Sequence, residues 1–328
     1  MGVIGCSTIA KNSTIQAILK SPNSELEFVG SRSTEKAKTF AHEFGCGKYG
    51  SYEDVLNDNN VDAVYISTPV GTHEEWVIKA AESGKHVICE KSSTTSFNSA
   101  KKMLKACKDN NVRIMEGFMF RFHPSHQKVK ELINNNTVGK LFSFSSRYGF
   151  PSISKDNIRY DKSLGGGILN DAGCYPINAS RMLFACEPDG ILCNLVIDDE
   201  KQVDIKAAIF MNFGHERYSQ SVVGYELFYQ SVYGLWGSKG HLNLTRAYNV
   251  PPDMMVTLDI NSDDLQDRIL IDTADHFQLM VMAFCNEIQN GKSHNHNFED
   301  DLFYQAKVME AARISNNEKR YVKISEIN

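Results

Sequence analysis

The sequence predicts an α/β protein that consists of a doubly wound parallel sheet followed by an α+β domain. Up to Arg121, short apolar strands alternate with helices, and this spacing gives right-handed βαβ units in a parallel sheet. After Arg121, strand candidates follow one another with few helices between them, which indicates a largely antiparallel sheet. We therefore expect one domain at residues 1–121 and a second at residues 122–328.

Composition narrows the class of protein. Hydrophobic residues make up 42% of the 328 residues, charged residues make up 23%, and the net charge is −5, as in ordinary globular proteins. A nucleic-acid partner is disfavoured because it would require a basic surface. No apolar run approaches the ~20 residues of a membrane span. The first strand begins at once and no basic n-region is visible before it, so we expect no signal peptide.

The cysteines and histidines predict neither disulfides nor a metal site. The 8 cysteines are scattered, with no Cys-x-x-Cys motif, as expected of reduced thiols in a cytoplasmic protein. His123 and His126 have helical spacing, and His294 and His296 flank an asparagine. Neither pair has a third ligand nearby, so surface histidines are the simpler interpretation.

Strands and helices alternate throughout the first domain. The predicted strands are Val3–Gly5, Leu26–Gly30, Val61–Ser67, Val87–Cys89 and Val112–Met115. The predicted helical segments are Ile15–Leu19, Thr34–Phe44, Tyr52–Leu56, Glu74–Ser83 and Asn98–Asp109. In an open parallel sheet of this kind, ligands bind outside the carboxyl ends of the strands.

A glycine-containing turn after the first strand predicts a dinucleotide site. Gly5 allows a tight turn, the small Ser7 lets backbone N–H groups approach a pyrophosphate, and the small Ala10 lets helix pack on strand. The expected cofactor contacts are Gly5, Ser7, Thr8, Ile9 and Ala10.

The end of the second strand favours NADP over NAD. Ser31 follows Ala10 by about 20 positions, where an acidic residue would hold the ribose diol of NAD. The chain has Ser31 and Arg32 there, with Lys36 one turn further on. A hydroxyl and two cations suit the 2′-phosphate of NADP. A solvated basic helix start is the alternative, but cations at a helix N-terminus oppose its dipole.

Polar residues follow two further strands of the predicted sheet. They are Ser67, Thr68, Pro69 and His73 after one strand, and Glu90 and Lys91 after the next. The carboxyl ends of parallel strands share one edge, so we expect these residues at the cofactor. The alternatives are a solvated lysine and simple strand termination by proline.

The second domain is predicted to contain mainly strands. A helix at Pro124–Asn135 and a strand at Leu141–Tyr148 precede a glycine-rich stretch, Gly165–Asn178, that enters a helix. The following strand candidates are Ile191–Ile197, Val203–Phe213, Tyr225–Tyr233, His241–Leu244, Met255–Leu258 and Arg268–Ile271. Helices are expected near Ala274–Gln289 and Glu299–Ser315.

Together these motifs resemble the Gfo/Idh/MocA oxidoreductases, named after glucose–fructose oxidoreductase and inositol dehydrogenase. The matching stretches are Gly5-Cys6-Ser7-x-x-Ala10, Ser67-Thr68-Pro69 with His73, Gly84 to Lys91, Gly165-Gly166-Gly167-x-Leu169-x-Asp171-x-Gly173 and Gly237-x-Lys239-Gly240. The resemblance implies a hydride-transferring enzyme with an N-terminal Rossmann domain that binds NAD(P). It also implies a C-terminal substrate domain whose open-faced sheet makes a homo-oligomer, a dimer or a tetramer.

The chain departs from the family pattern at two places. Ser92 stands where the family usually has a proline after Glu-Lys. Tyr175 stands where the family commonly has a histidine, and Asn178 where it has an aspartate. Tyr175 argues against an Asp–His relay and indicates the branches that use a tyrosine acid/base. Those branches are glucose–fructose oxidoreductase, dimeric dihydrodiol dehydrogenase and the deoxysugar 3-ketoreductases.

The chemistry of carbonyl reduction assigns roles to three of these residues. A carbonyl that accepts a hydride becomes an alkoxide, so the site needs a proton donor and a positive charge. Tyr175 is protonated at neutral pH and can donate a proton, and the Lys91 ammonium would stabilise the oxyanion. Asp171 would orient a substrate hydroxyl or Lys91, and the triple glycine would let the backbone approach substrate.

Each role has a structural alternative. Tyr175 can be a helix-face aromatic, Asp171 an N-cap, and the triple glycine a flexible loop. Arg121, Arg147 and Tyr148 are weaker candidates for the substrate pocket.

We expect an NADP-dependent oxidoreductase acting on a hydroxyl or ketone of a sugar or sugar derivative, with an aromatic dihydrodiol still open. A non-catalytic dinucleotide-binding regulator is one alternative. Another is an enzyme that retains its cofactor and uses transient oxidation for epimerisation or glycoside cleavage.

Overall fold

The computed structural model describes residues 1–290 and 296–328, so His294 lies outside the described residues. The chain forms two compact units. The first comprises Met1–Met119 and the later segment Phe277–Phe303, and the second comprises Phe120–His276 and Tyr304–Asn328.

The first unit contains a six-stranded parallel sheet. Its strands are β1 Gly2–Ile4, β2 Phe28–Gly30, β3 Tyr49–Gly50, β4 Ala63–Ile66, β5 His86–Cys89 and β6 Ile114–Glu116. The strand order is β3-β2-β1-β4-β5-β6, and every pair is parallel. The order reverses between β1 and β4, which is where doubly wound sheets bind ligands. The predicted parallel sheet is confirmed.

Five helices connect these strands. They are α1 Ile15–Lys20, α2 Thr34–Glu43, α3 Tyr52–Asn57, α4 His73–Glu82 and α5 Phe97–Asp109. Serine hydroxyls accept backbone N–H bonds at the starts of α2, α3 and α5, namely those of Ser33, Ser51 and Ser96. Such N-caps satisfy donors that the helix itself leaves unpaired.

The second unit contains a nine-stranded mixed sheet. Its strands are β7 Leu141–Gly149, β8 Gly190–Ile197, β9 Asp204–Asn212, β10 Tyr218–Gly224, β11 Gln230–Gly237, β12 Gly240–Leu244, β13 Val256–Ser262, β14 Gln266–Ile271 and β15 Val322–Lys323. The order is β14-β13-β12-β11-β7-β10-β9-β8-β15. Only β7 and β10 pair in parallel, and the other pairs are antiparallel. The predicted largely antiparallel sheet is confirmed.

The predicted strand Tyr225–Tyr233 is wrong in its position. The structure has β10 before this segment and β11 overlapping only its end, and Tyr225 itself is fully buried beyond β10. β10 was missed because serines, Ser219 and Ser221, occupy two of its inward-facing positions. The apolar alternation that predicts a strand is therefore weak there.

Four helices complete the described chain. They are α6 Pro124–Asn134, α7 Cys174–Phe184, α8 His276–Gln289 and α9 Phe298–Glu318. The division between the two units falls inside α9, between Phe303 and Tyr304. Among residues 1–290 and 296–328, no helix is both long enough and apolar enough to cross a membrane.

One face of the nine-stranded sheet exposes large apolar side chains. Its strands alternate between buried and exposed residues, as expected when one face packs on a core. The exposed face carries Phe142, Phe210, Val222 and Trp236, and Trp236 is 60% exposed.

Candidate active site

The turn after β1 requires a glycine. Gly5 has φ +109°, and a Cβ at this position would lie 3.1 Å from the carbonyl carbon of Ser67. The Ser67 hydroxyl donates a hydrogen bond of 2.7 Å to the Gly5 carbonyl. The loops after β1 and β4 therefore meet at close range, at the position where the sheet order reverses.

The start of the first helix is held by its own serine. The Ser7 hydroxyl accepts a bond of 3.0 Å from the Ala10 N–H, and a π-helical turn, Ala10–Thr14, leads into α1. Ala10 is fully buried, whereas Thr8 is exposed. Backbone N–H groups at such a helix start attract anions, which suits a pyrophosphate.

The end of β2 places basic side chains beside a buried serine. Ser31 is buried, and its hydroxyl accepts a bond of 3.3 Å from the Ser33 N–H. Arg32 and Lys36 are exposed. Arg32 lies close to Tyr52; burial raises the pKa of that phenol, and the positive charge of Arg32 opposes the rise.

His73 connects the loops that follow β4 and β5. Its Nε2 lies 2.8 Å from the Thr68 carbonyl oxygen, and its Nδ1 lies 3.2 Å from that of Ser93. The ring is buried, and burial lowers the pKa of His73. His73 therefore shapes both loops from inside the unit.

Glu90 fixes the backbone beside Lys91. Its Oε1 accepts a bond of 2.6 Å from the Tyr65 hydroxyl, and its Oε2 accepts one of 3.2 Å from the Lys91 N–H. Burial raises the pKa of the Glu90 carboxyl. Lys91 itself is half-buried at the carboxyl end of β5.

In the second unit, Tyr175 belongs to a cluster of aromatic rings. We call Phe120, Tyr148, Tyr175 and Tyr248 the tyrosine cluster. The Tyr175 ring centroid lies 5.2 Å from that of Tyr148, 5.5 Å from that of Tyr248 and 5.7 Å from that of Phe120. Tyr175 is 3% exposed. Such contacts restrict the ring to a narrow range of positions.

Two buried phenols of the second unit hydrogen-bond to groups inside it. The Tyr248 hydroxyl lies 2.6 Å from the Ser146 hydroxyl, and the Tyr233 hydroxyl lies 3.0 Å from Nδ1 of His126. Burial raises the pKa of both phenols. These tyrosines are therefore neutral supporting groups at neutral pH.

Asp171 lies in the π-helical turn Leu169–Gly173 that leads into α7. Its Oδ2 accepts a bond of 2.6 Å from Nε of Arg159 and one of 3.4 Å from the Tyr225 hydroxyl. Asp171 is not an N-cap, because it lies inside the turn, whose N-cap position is Ile168; the Leu169 N–H donates a bond of 2.6 Å to the Oδ2 of the distant Asp204. The carboxylate of Asp171 thus lies one turn before Tyr175 on the same helical segment.

The triple glycine packs against its own unit. A Cβ at Gly166 would lie 2.5 Å from the carbonyl oxygen of Arg159. Gly167 has φ +118°, and a Cβ there would collide with the Asp204 carboxylate. Gly165 also has a positive φ, +79°. Packing therefore restricts Gly166 and Gly167 to glycine, and the expectation that the triple glycine lets the backbone approach substrate stays a prediction.

Asn178 and Gln305 hold the helix that carries Tyr175. Arg121 donates a bond of 3.0 Å from Nη1 to the Asn178 Oδ1, and Asn178 donates one of 3.2 Å to Gln305. Gln305 donates one of 3.0 Å to the Cys174 carbonyl, immediately before Tyr175. Arg121 therefore takes part in positioning this helix.

Of the weaker pocket candidates, Arg147 lies on the exposed face of β7, whereas its neighbour Tyr148 faces inward to Tyr175. Successive residues of a strand point to opposite faces, so Arg147 and Tyr148 cannot line the same pocket within this unit.

Sequence reasoning missed Arg159, Asp204 and Tyr225. Each contacts the Asp171 turn from a separate part of the chain. None lies in a recognisable motif, and no local signal marked them. Among the described residues, no group of three His, Cys, Asp or Glu side chains is arranged to hold a metal ion.

The doubly wound sheet with its glycine turn is typical of dinucleotide-binding domains, and comparison with known proteins identifies the family. Residues 1–118 match the oxidoreductase family GFO/IDH/MocA, NAD-binding Rossmann fold, and residues 126–243 match the C-terminal domain of the same family. The chain belongs to the Gfo/Idh/MocA oxidoreductases, so the family resemblance is confirmed.

The chain is similar to several sugar oxidoreductases. It is 32% identical to a dTDP-3,4-didehydro-2,6-dideoxy-alpha-D-glucose 3-reductase from Streptomyces violaceoruber, over 88% of this chain and 85% of that protein. It is 31% identical to D-xylose 1-dehydrogenase (NADP(+)) 2 from Haloferax volcanii, over 89% and 90%. A 3-ketoreductase from Actinomadura kijaniata, solved in complex with NADP and TDP-benzene, has a TM-score of 0.91 at 29% identity, over 96% of each chain.

Proposed function

We propose that this protein is an NADP-dependent oxidoreductase that interconverts a hydroxyl and a ketone on a sugar or sugar derivative. The observation that carries the proposal is the buried Tyr175 phenol, one helical turn after the Asp171 carboxylate. Because relatives over most of this chain are named as reductases of dTDP-linked keto-deoxysugars, nucleotide-linked keto-sugars are the first substrates to test.

The residues of the first unit fit NADP. The Gly5 turn and the exposed helix start at Thr8 would hold the pyrophosphate. Ser31, Arg32 and Lys36 would hold the 2′-phosphate, and the end of β2 carries no acidic side chain that would repel it. The remaining proposed cofactor contacts are Ser7, Ile9, Ala10, Ser67, Thr68, Pro69, His73, Glu90 and Lys91. When bound, NADP(H) supplies or accepts the hydride.

In the reductive direction, the chain must manage a developing negative charge on oxygen. We propose that Tyr175 donates the proton that turns the alkoxide into a hydroxyl. The Lys91 ammonium stabilises the charge before that proton arrives. Asp171 accepts a hydrogen bond from a neighbouring substrate hydroxyl and so fixes the orientation of the sugar.

The test is a substrate screen that follows NADPH consumption by the purified protein. The panel contains nucleotide-linked keto-sugars, and, in the oxidative direction with NADP, D-xylose and a trans-dihydrodiol. We expect turnover of at least one sugar and a preference for NADPH over NADH. Tight NADPH binding without turnover of any substrate would instead indicate a regulator. Cofactor that stays bound through purification without net turnover would indicate transient oxidation.

We also propose that the exposed face of the nine-stranded sheet makes a homo-oligomer. This face carries Phe142, Phe210, Val222 and Trp236, and contiguous exposed apolar side chains mark interaction surfaces. Trp236→Glu should dissociate the oligomer in analytical ultracentrifugation. A wild-type chain that sediments as a monomer would contradict the proposal.

A further inference from the structure

Arg159 binds the carboxylate that precedes Tyr175. It lies in a short 3₁₀ turn, Ile158–Tyr160, whose first N–H bonds involve the Asn157 side chain: the Asn157 Oδ1 accepts a bond of 3.1 Å from the Arg159 N–H. The Arg159 Nε donates to the Asp171 Oδ2 at 2.6 Å. The Asp171 side chain is 14% exposed and that of Arg159 is 42% exposed, so the pair lies at the edge of the buried region.

The backbone around Arg159 is fastened to the same glycine loop. The Arg159 carbonyl accepts a bond of 2.9 Å from the Gly167 N–H, and the Asp161 carbonyl accepts one of 2.9 Å from the Gly166 N–H. The carbonyl oxygen of Arg159 also lies so near Gly166 that a side chain would not fit there. The Arg159 side chain therefore contacts the turn that carries Asp171, and its backbone contacts the glycine loop that leads into this turn.

Neighbouring aromatic rings support the same arrangement. Tyr160 is buried, and its ring centroid lies 5.4 Å from that of Tyr225. The Tyr225 hydroxyl bonds to the same Asp171 oxygen as Arg159 does. Two donors from different segments thus converge on one carboxylate oxygen, which restricts the rotation of the Asp171 side chain.

We propose that Arg159 is a positioning residue for the reaction proposed above, on which this inference rests. Arg159 holds the Asp171 carboxylate in one orientation and compensates its charge. An uncompensated carboxylate in a partly buried site is costly, and a negative charge beside Tyr175 would disfavour the phenolate that the oxidative direction requires. Asp171 can then accept a substrate hydroxyl without opposing the acid/base role of Tyr175.

The experiment is a double-mutant cycle with Arg159→Ala and Asp171→Asn. We expect Arg159→Ala to lower kcat/KM for the sugar by ~10- to 100-fold, as misplacement of a binding group does, with NADPH affinity unchanged. In the Asp171→Asn background the same change should have little further effect, because Arg159 acts through Asp171. Arg159→Lys keeps the charge and should restore part of the lost activity.

Lys155→Ala is the matched control. Lys155 belongs to the same irregular segment and forms an ion pair with Asp198 at 3.0 Å, but no contact with Asp171 involves it. We expect wild-type kinetics from this variant. Additive losses in the cycle, or an equal loss from Lys155→Ala, would overturn the positioning role and indicate a purely structural effect of the segment.

The same cycle measured by thermal unfolding separates this inference from the proposed function. Coupling between Arg159→Ala and Asp171→Asn in Tm is expected whether or not a substrate is known, and its absence would overturn the inference. If the wild type turns over no sugar while the Tm coupling is present, the proposed function fails and the contact stands. If the wild type is active and the kinetic cycle is additive, the positioning role alone fails.

Discussion

Two glycine-containing loops lead into a helix through a π-helical turn, and they are held in different ways. In the first unit, the Gly5 loop relies on a serine two residues away and on Ser67. In the second unit, the Arg159 carbonyl accepts a bond from the Gly167 N–H, and the Asp204 carboxylate accepts one from the Leu169 N–H just after the loop Gly165–Gly167. Both loops therefore depend on contacts with other parts of the chain, but only the first also carries a short motif that is recognisable in the sequence.

The largest expected effect comes from removing the Tyr175 hydroxyl at the helix start of the second unit. Tyr175→Phe should lower turnover by ~10²-fold or more, because acid catalysis is lost, with NADPH affinity little changed. The matched control is Tyr248→Phe, in the same tyrosine cluster, whose hydroxyl bonds to Ser146. Steady-state kinetics and cofactor titration check both variants. Loss of NADPH binding in Tyr175→Phe, or equal losses in the two variants, would contradict the assigned role.

The next largest expected effect tests whether the residues at the end of β2 select the cofactor. Ser31→Asp combined with Arg32→Ala should reverse the preference from NADPH to NADH, by roughly 10-fold or more, because charge-assisted bonds to the 2′-phosphate are worth ~1.5–3 kcal/mol each. The ratio of kcat/KM for the two cofactors measures it. An unchanged ratio would mean that residues elsewhere select the cofactor. The control is Lys38→Ala, which changes an exposed lysine on α2, the helix that follows Arg32.

The buried imidazoles of the second unit make its packing pH-dependent. Burial lowers the pKa of His126 and of His276 from 6.5 to about 3. The unfolded chain therefore binds more protons below its own histidine pKa, and stability present above about pH 6.5 is lost as the pH falls towards 3. At about pH 5 the expected loss is about 2 kcal/mol per histidine.

Urea unfolding at about pH 7.5 and about pH 5 measures this loss. His126→Gln should reduce the difference between the two pH values, whereas His215→Gln, at a site with a left-handed backbone on the exposed β9–β10 turn, should leave it unchanged. An unfolding free energy that is the same at both pH values in the wild type would show that these imidazoles do not titrate as the burial indicates.

The smallest expected effect is the difference in unfolding free energy between two glycine-to-alanine substitutions, one in each unit. Gly167→Ala should cost about 2 kcal/mol in the free energy of unfolding, because it adds a collision with Asp204 to a positive φ. Gly45→Ala, with φ +68° and no atom within 4 Å, should cost only the ~1 kcal/mol of a left-handed residue. Denaturant titration checks both. Equal costs would mean that the second loop adjusts to an added methyl group.

The predictability of each region follows from whether a recognisable residue pattern marks it. The Gly5 turn and the basic end of β2 could be read from the sequence, because both belong to a known strand–turn–helix pattern with a fixed spacing. β10 could not, because Ser219 and Ser221 face inward where apolar residues would have marked a strand. Arg159 could not either, since its link to Asp171 exists only once the glycine loop is folded.

The site chemistry shows the same limit. The sequence pointed to Tyr175 through the family pattern, but its aromatic neighbours are Phe120 and Tyr148, from separate elements. Asp171 was open between an N-cap and a site residue, and only the fold shows that it lies inside the turn while the Leu169 N–H bonds to Asp204. A sequence shows which residue types are present, whereas packing decides which groups each side chain contacts.

The crowding around Gly166 and Gly167 has a consequence for engineering. A library that randomises these glycines to broaden substrate range would mostly yield destabilised proteins, since any side chain there meets the protein itself. Asn157 and Phe228 are better positions to vary: Asn157 caps the turn of Arg159, and Phe228 is 87% exposed in the loop between β10 and β11. Changes of specificity should therefore be sought at exposed loop positions of the second unit, with the loop Gly165–Gly167 left unchanged.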